Sequence, residues 1–90
     1  RILGGAGPGP GRLAYPYDLA IEDDGSILVV EYGNNRVQRL DRKTGACLGL
    51  WGGAGLKPGR LRYPWAIDSA GDLMVVLDTG NNRVQLGGRP

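Results

Sequence analysis

The hexapeptide Gly-Asn-Asn-Arg-Val-Gln occurs twice, at 33–38 and 80–85, and each copy follows an apolar run, Ile27–Val30 or Leu73–Leu77. Each also lies downstream of the same lead-in, Pro-Gly-Arg-Leu-x-Tyr-Pro and then an aromatic residue, at 10–17 and 58–65. The lead-ins are 48 residues apart and the hexapeptides 47. A period of this size, built from short apolar runs and turn residues, predicts a repeat array of propeller blades or similar units. One such unit cannot bury both faces of its sheet, so a pair leaves two apolar faces without cover. The expectation is therefore a segment of a longer ring or a unit that assembles with copies of itself. The ends, Arg1–Leu3 and Gly87–Pro90, carry no capping pattern.

Within the first copy, Tyr17–Ile21 and Ile27–Glu31 flank Glu22-Asp-Asp-Gly25, and Asp-Gly between strand-like runs signals a hairpin. Tyr32–Asn35 tolerates positive φ and leads to a third strand, Arg36–Leu40. Asp41–Gly45 makes the next turn, and Cys47–Trp51 reads as the outer strand. The second copy repeats the scheme with Trp65–Asp68, Leu73–Leu77 and Arg83–Leu86. Arg1-Ile-Leu followed by Gly4-Gly-Ala-Gly matches Leu50-Trp51 followed by Gly52-Gly-Ala-Gly. The predicted fold is all-β: two four-stranded antiparallel blades in the order d-abc-d-abc. Residues 1–7 are an outer strand completing a neighbouring or last blade, 8–53 form blade one, and 54–90 form blade two without its own outer strand.

The copies differ in spacing. Matching Ala20-Ile-Glu22 to Ala66-Ile-Asp68 leaves Asp18-Leu19 without a counterpart and shortens the innermost strand of blade two. One extra residue between Gly71 and Asp78 then requires a bulge, expected around Val76–Leu77. Blade two should be the less regular of the pair.

The stretch Pro-Tyr-Asp-Leu-Ala-Ile-Glu-x-x-Gly-Ser-Ile-Leu-Val-Val-Glu-x-Gly-Asn-Asn-Arg-Val-Gln at 16–38 resembles the NHL repeat, and Pro64–Gln85 resembles a second. The resemblance implies four-stranded blades of a β-propeller, usually six to a ring. It also implies a range of activities: protein-binding platforms, RNA binding on a basic surface, or the walls of lyases and lactonases. A fold is a scaffold, and none of these follows from the repeat alone.

Histidine is absent, which removes Ser-His-Asp triads and the usual zinc sets from within this chain. Glu22, Asp23 and Asp24 sit on a hairpin whose turn chemistry accounts for them, and Asp18 is the better candidate for a channel-facing ligand. Asn34, Asn35, Asn81 and Asn82 could offer amide oxygens to calcium, but turn conformations explain them better. With Gly33, Arg36, Gly80 and Arg83 they form the structural repeat motif, the arginines pairing with Glu31 or Asp78 or with carbonyls of a neighbouring blade. The glycine runs 4–11 and 49–59 fail as phosphate loops, because proline lacks the N–H groups such loops need. A lone Cys47 gives neither a disulfide framework nor ligand spacing. No catalytic, cofactor or metal site is expected.

A net charge of +2 is too mild to imply nucleic acid, and no stretch approaches the roughly 18 apolar residues of a membrane span. Arg36, Arg39, Arg42 and Lys43 are the densest basic group and a possible interaction surface. Tyr15, Tyr17, Tyr63, Trp51 and Trp65 are expected to pack at the seam between blades. The reading is a non-enzymatic, protein-binding propeller segment without cofactor or membrane partner. Its partners would be further blades, from a longer chain or from copies of itself (three giving six blades). A wall segment of a lyase or lactonase, and an RNA-binding surface, stand as alternatives.

Overall fold

The computed structural model describes all of residues 1–90. Strands β1 (Pro16–Ile21), β2 (Ile27–Glu31), β3 (Arg36–Leu40) and β4 (Cys47–Gly52) form one antiparallel sheet in chain order. Strands β5 (Ala66–Ala70), β6 (Leu73–Asp78) and β7 (Arg83–Gly88) form a second, with a single 3-10 turn at Thr79–Asn81. The first sheet thus has four strands and the second three. Arg1–Gly5 join no ladder, and Ala6 makes a lone parallel bridge to Leu13, as Ala54 does to Leu61.

The apolar run of β2 is covered on both faces, whereas β6 is covered on one and leaves Leu73 and Leu77 each 42% exposed on the other. Leu28, Val30 and Val37 of the first sheet meet Leu61, Ile67, Met74 and Val76, with Ala20 and Trp51 packed beside them. That cluster lies between the sheets and supplies the core. On the other side of the first sheet, Val29, Glu31, Gln38 and Leu40 are also buried. The lead-in loop reaches over this side, its Ala14 and Gly11 N–H groups bonded to Glu31 and Gln38. Elsewhere cover is lacking: Leu19, Ile21, Val84 and Leu86 are each more than half exposed.

The register corrects the expected alignment of the two copies. Asp18 pairs with Val30, one residue before Glu31, and Ala66 pairs with Leu77, one residue before Asp78. Ala66 therefore stands in the place of Asp18, and Ile67 in that of Leu19. The difference in length falls in the hairpin instead. The loop is Asp23–Gly25 in copy one, with Gly25 N–H donating to Glu22 O, but only Gly71–Asp72 in copy two. The β5–β6 and β6–β7 ladders run without a break, so there is no bulge at Val76–Leu77. The irregularities lie in the first sheet, between Pro16 and Asp18 and between Arg39 and Leu40. A turn absorbs an indel without inverting any side chain, whereas a strand does not.

Candidate functional site

The repeated hexapeptide is a clamp built around a buried acid. Glu31 is fully buried, and its Oε1 accepts from Ala14 N–H (3.2 Å) and Asn34 Nδ2 (2.7 Å). Its Oε2 accepts from Arg36 Nε (2.7 Å) and Gln38 Nε2 (3.1 Å). The Arg36 guanidinium also donates to the carbonyls of Pro8, Gly9 and Arg12, and Gln38 Oε1 accepts from Gly11 N–H. A charge taken out of water is tolerable only when it is paired and its remaining bonds are satisfied, and here the Ala14 N–H and the carbonyls that Arg36 and Gln38 reach tie the sheet to the loop before it.

The second copy repeats this arrangement on Asp78. Its carboxylate accepts from Arg62 N–H, Asn81, Arg83 and Gln85, while Arg83 and Gln85 reach the carbonyls of Lys57 and Arg60. Burial pushes the Asp78 carboxyl up, but those bonds outweigh it and hold the group below the usual carboxylate range. Asn35 and Asn82 sit in the left-handed region, at φ 51° and 52°. Gly33 and Gly80 are required by close approach, since a β-carbon would stand 3.0 Å from the Ala14 carbonyl oxygen at one and 2.6 Å from that of Arg62 at the other. Arg36 and Arg83 thus pair with Glu31 and Asp78 as expected, and the carbonyls they reach belong to their own lead-in loops. Gln38 and Gln85 join them. Their repetition was visible in the sequence, but a role for them was not inferred.

Asp18 does not behave as a free ligand. Its Oδ2 accepts from Ile67 N–H at 2.9 Å and its Oδ1 from Leu19 N–H, so it pins the inner strands of the two sheets together. Asp24 follows turn chemistry, accepting from the Ser26 hydroxyl and N–H, which pull its carboxyl down to about 2. Glu22 does more than turn chemistry asks. It is buried and pairs with Arg39 (2.8 Å) and, from the far end of the chain, Arg89 (3.0 Å). Burial pushes Glu22 up, while Ser26, Arg89 and Arg39 together hold it below its ordinary value.

The four basic residues grouped by the sequence are therefore divided in space. Arg36 and Arg39 are committed to Glu31 and to Glu22 and Asp24, with 12% and 19% of their side chains exposed. Arg42 and Lys43 line an open polar cleft of about 240 Å³ with Asp24, Ser26 and Asp41.

The aromatic residues make a continuous row across the seam. Tyr32 lies between Tyr17 and Tyr63, stacked on each with centroids 4.9 Å apart, and Trp65 meets Tyr17 edge-on at 5.8 Å. Tyr17, Tyr63 and Trp65 keep about half their surface in solvent. Tyr15 and Tyr63 hold φ values of 46° and 50°, unusual for such residues, and the Tyr63 N–H donates to Asn35 Oδ1 across the seam. The seam position expected for Tyr17, Tyr63 and Trp65 holds. Tyr32 completes the row and was missed, because Thr79 replaces it in the second copy.

Two antiparallel sheets packed face to face along the chain, each locked to its lead-in by a buried acid, form an all-β arrangement consistent with propeller blades. Residues 13–40 match the family model of the NHL repeat, so the chain carries an NHL repeat there. It is also similar to NHL repeat-containing protein 3 of Homo sapiens and of Mus musculus, 34% identical to each over 50 residues. That stretch covers 56% of this chain and only 14% of the length of each relative.

Proposed function

We propose that the chain is a propeller segment that serves as a protein-binding scaffold rather than a catalyst, with the row Trp65–Tyr17–Tyr32–Tyr63 as its contact surface. The observation that carries this reading is where the row departs from the repeat. Copy two builds the same clamp with Thr79 in the place of Tyr32, so the ring of Tyr32 is surplus to the clamp. Half-exposed tyrosine and tryptophan supply the large, rigid contact area that protein interfaces favour. Protein binding is also what the NHL resemblance implies.

In this reading the two sheets are adjacent blades of a six-bladed ring. The other blades come from a longer chain, as the far greater length of the relatives suggests, or from copies of this one, three completing the ring. Residues 1–7 would serve as an outer strand, and Gly33–Arg36 and Gly80–Arg83 would fix each blade to its lead-in. The test is affinity capture from a cell extract by the natural chain and by Tyr32→Thr combined with Trp65→Ala. A protein retained by the first and lost by the second, with melting temperature unchanged, supports the scaffold. Undiminished capture by the double variant overturns the assignment of the row.

A further inference from the structure

We propose that Tyr32 is a site of oxidative cross-linking, joined through a ring carbon to Tyr63 or Tyr17 when the row Trp65–Tyr17–Tyr32–Tyr63 meets a one-electron oxidant. The contacts this needs all lie within residues 17–65, and they hold whether or not the row also receives a protein partner.

Coupling two phenols requires rings that are already in contact when the oxidant arrives. Tyr32 has two such neighbours, each with its centroid 4.9 Å away and its plane tilted by 27° or 28°. Backbone bonds place both of them. On one side, Pro16 pairs with Glu31 and Tyr32 N–H donates to Tyr15 O, which sets Tyr32 beside Tyr17. On the other, Tyr63 N–H donates to Oδ1 of Asn35, a member of the turn that begins at Tyr32. Tyr63 also holds a φ of 50°, a conformation costly for a bulky side chain, and meets Tyr32 from it. Tyr15 is the matching residue of the first copy, with φ 46°, yet it is 71% exposed and belongs to none of the ring contacts. The chain thus carries its own comparison: the same side chain on the same backbone, without a partner.

Tyr17, Tyr63 and Trp65 are half-exposed, so an oxidant in solution reaches the row from both ends. Trp65 meets Tyr17 edge-on at 5.8 Å, and an indole oxidised there can draw its electron from the stack. An oxidised tyrosine gives one electron to the oxidant and its phenolic proton to water. The radical left behind is shared between the oxygen and the two ring carbons flanking the C–O carbon. Two adjacent radicals then pair, forming a carbon–carbon bond between such ring carbons. The hydrogen that each carbon carried moves through water to its own oxygen, which restores both hydroxyls. Two tyrosines thus lose two electrons and two protons in all, and persulfate takes the electrons to become two sulfate ions. A bond from Tyr32 to Tyr63 would join residues 31 positions apart and tie the first sheet to the lead-in of the second. Such a link constrains the unfolded chain as a disulfide does.

The test irradiates the whole chain with a ruthenium tris-bipyridyl photo-oxidant and persulfate. At about one micromolar protein, rings held in contact outrun encounters between chains, because their effective concentration is of order millimolar or more. The expected product migrates as one 9.5 kDa chain on a denaturing gel, shows the blue fluorescence of dityrosine and has lost two hydrogens by mass. Digestion should yield a cross-linked peptide that contains Tyr32. Tyr32→Phe keeps the ring and removes the phenol, so it should cut the yield at least about ten-fold with the urea midpoint unchanged. Tyr15→Phe should leave the yield as it was, and unfolding the chain in urea before irradiation should abolish the advantage of Tyr32. Coupling that maps elsewhere, that survives Tyr32→Phe, or that forms only between chains overturns the proposal, as does an absence of dityrosine. The capture experiment is run without oxidant, so the failure of either leaves the other standing.

Discussion

Replacing Glu31 by Gln tests whether the clamp holds the blade together. The change keeps the shape of the side chain, and Oε1 can still accept from Ala14 N–H and Asn34. The new amide nitrogen takes the place of Oε2, where Arg36 Nε at 2.7 Å and Gln38 Nε2 at 3.1 Å are both donors. One ion-paired bond and one bond from a neutral donor to the carboxylate are lost, a cost of about 2–4 kcal/mol. Arg36 keeps its three carbonyl partners, so the loss should fall short of the penalty for a wholly orphaned buried charge. A chain of 90 residues has roughly 5–13 kcal/mol of stability to lose. At about 4–8 °C per kcal/mol for a domain of this size, the melting temperature should fall on the order of 10–25 °C.

Urea unfolding followed by the fluorescence of Trp51 and Trp65, at one fixed protein concentration, reads the change. The partner measurement is Arg36→Met alone and together with Glu31→Gln. Because both act on one bond, the double variant should cost at least about 1 kcal/mol less than the two single changes added. A shift below about 0.5 kcal/mol for Glu31→Gln, or strict additivity of the pair, would refute the view that the buried acid organises the blade.

Asp78, Glu22, Asp24 and Asp41 all titrate below their ordinary values. Their contribution is therefore fully present above the unfolded values of 4.5 and 3.8 and is lost as the pH falls through the folded ones, down to about 2 at Asp24. The melting temperature should be flat from pH 8 to pH 5 and fall below that (rough bounds on the same linkage), with a shallower fall in Glu22→Gln; greater stability in acid would contradict the pairing. Gly33→Ala should cost roughly 1–3 kcal/mol because its β-carbon meets backbone, while Gly9→Ala, with nothing within 4 Å, should stay within about 0.5 kcal/mol in the same urea titration. Asn82→Gly should be nearly neutral, whereas Asn35→Gly loses the bond to Tyr63 N–H across the seam and should cost about 1 kcal/mol. Equal effects of the two would mean that this bond contributes nothing.

What the sequence disclosed, it disclosed through repetition. Strands came from alternating and continuous apolar runs, and their observed limits differ from expectation by no more than two residues. The clamp was half legible: a basic residue five positions after an acid suggested the pair, but depth of burial and the loop it seizes depend on contacts 23 to 28 residues away. The indel was misread because Ala-Ile-Glu and Ala-Ile-Asp look alike, and identity of letters carries no information about which face a strand must present. The buried acids fix that face, and the hairpin takes up the slack.

Divergence between the copies was the signal left unused. Glu22 and Arg39 form a buried pair in the first sheet. By strand register their counterparts in the second are Ala70 and Leu86, so both charges disappear together. A carboxylate kept without its guanidinium, or the reverse, would leave an unpaired charge at a low-exposure site, and only joint replacement avoids that cost. The same comparison isolates Tyr32 against Thr79: a ring present in one copy, absent from the other, and unnecessary to the clamp. Positions held in both copies describe how a blade is built, because each blade must solve the same burial problem. Tyr32 changes singly, and under the proposed scaffold reading its ring answers to a protein partner at the aromatic row of the seam.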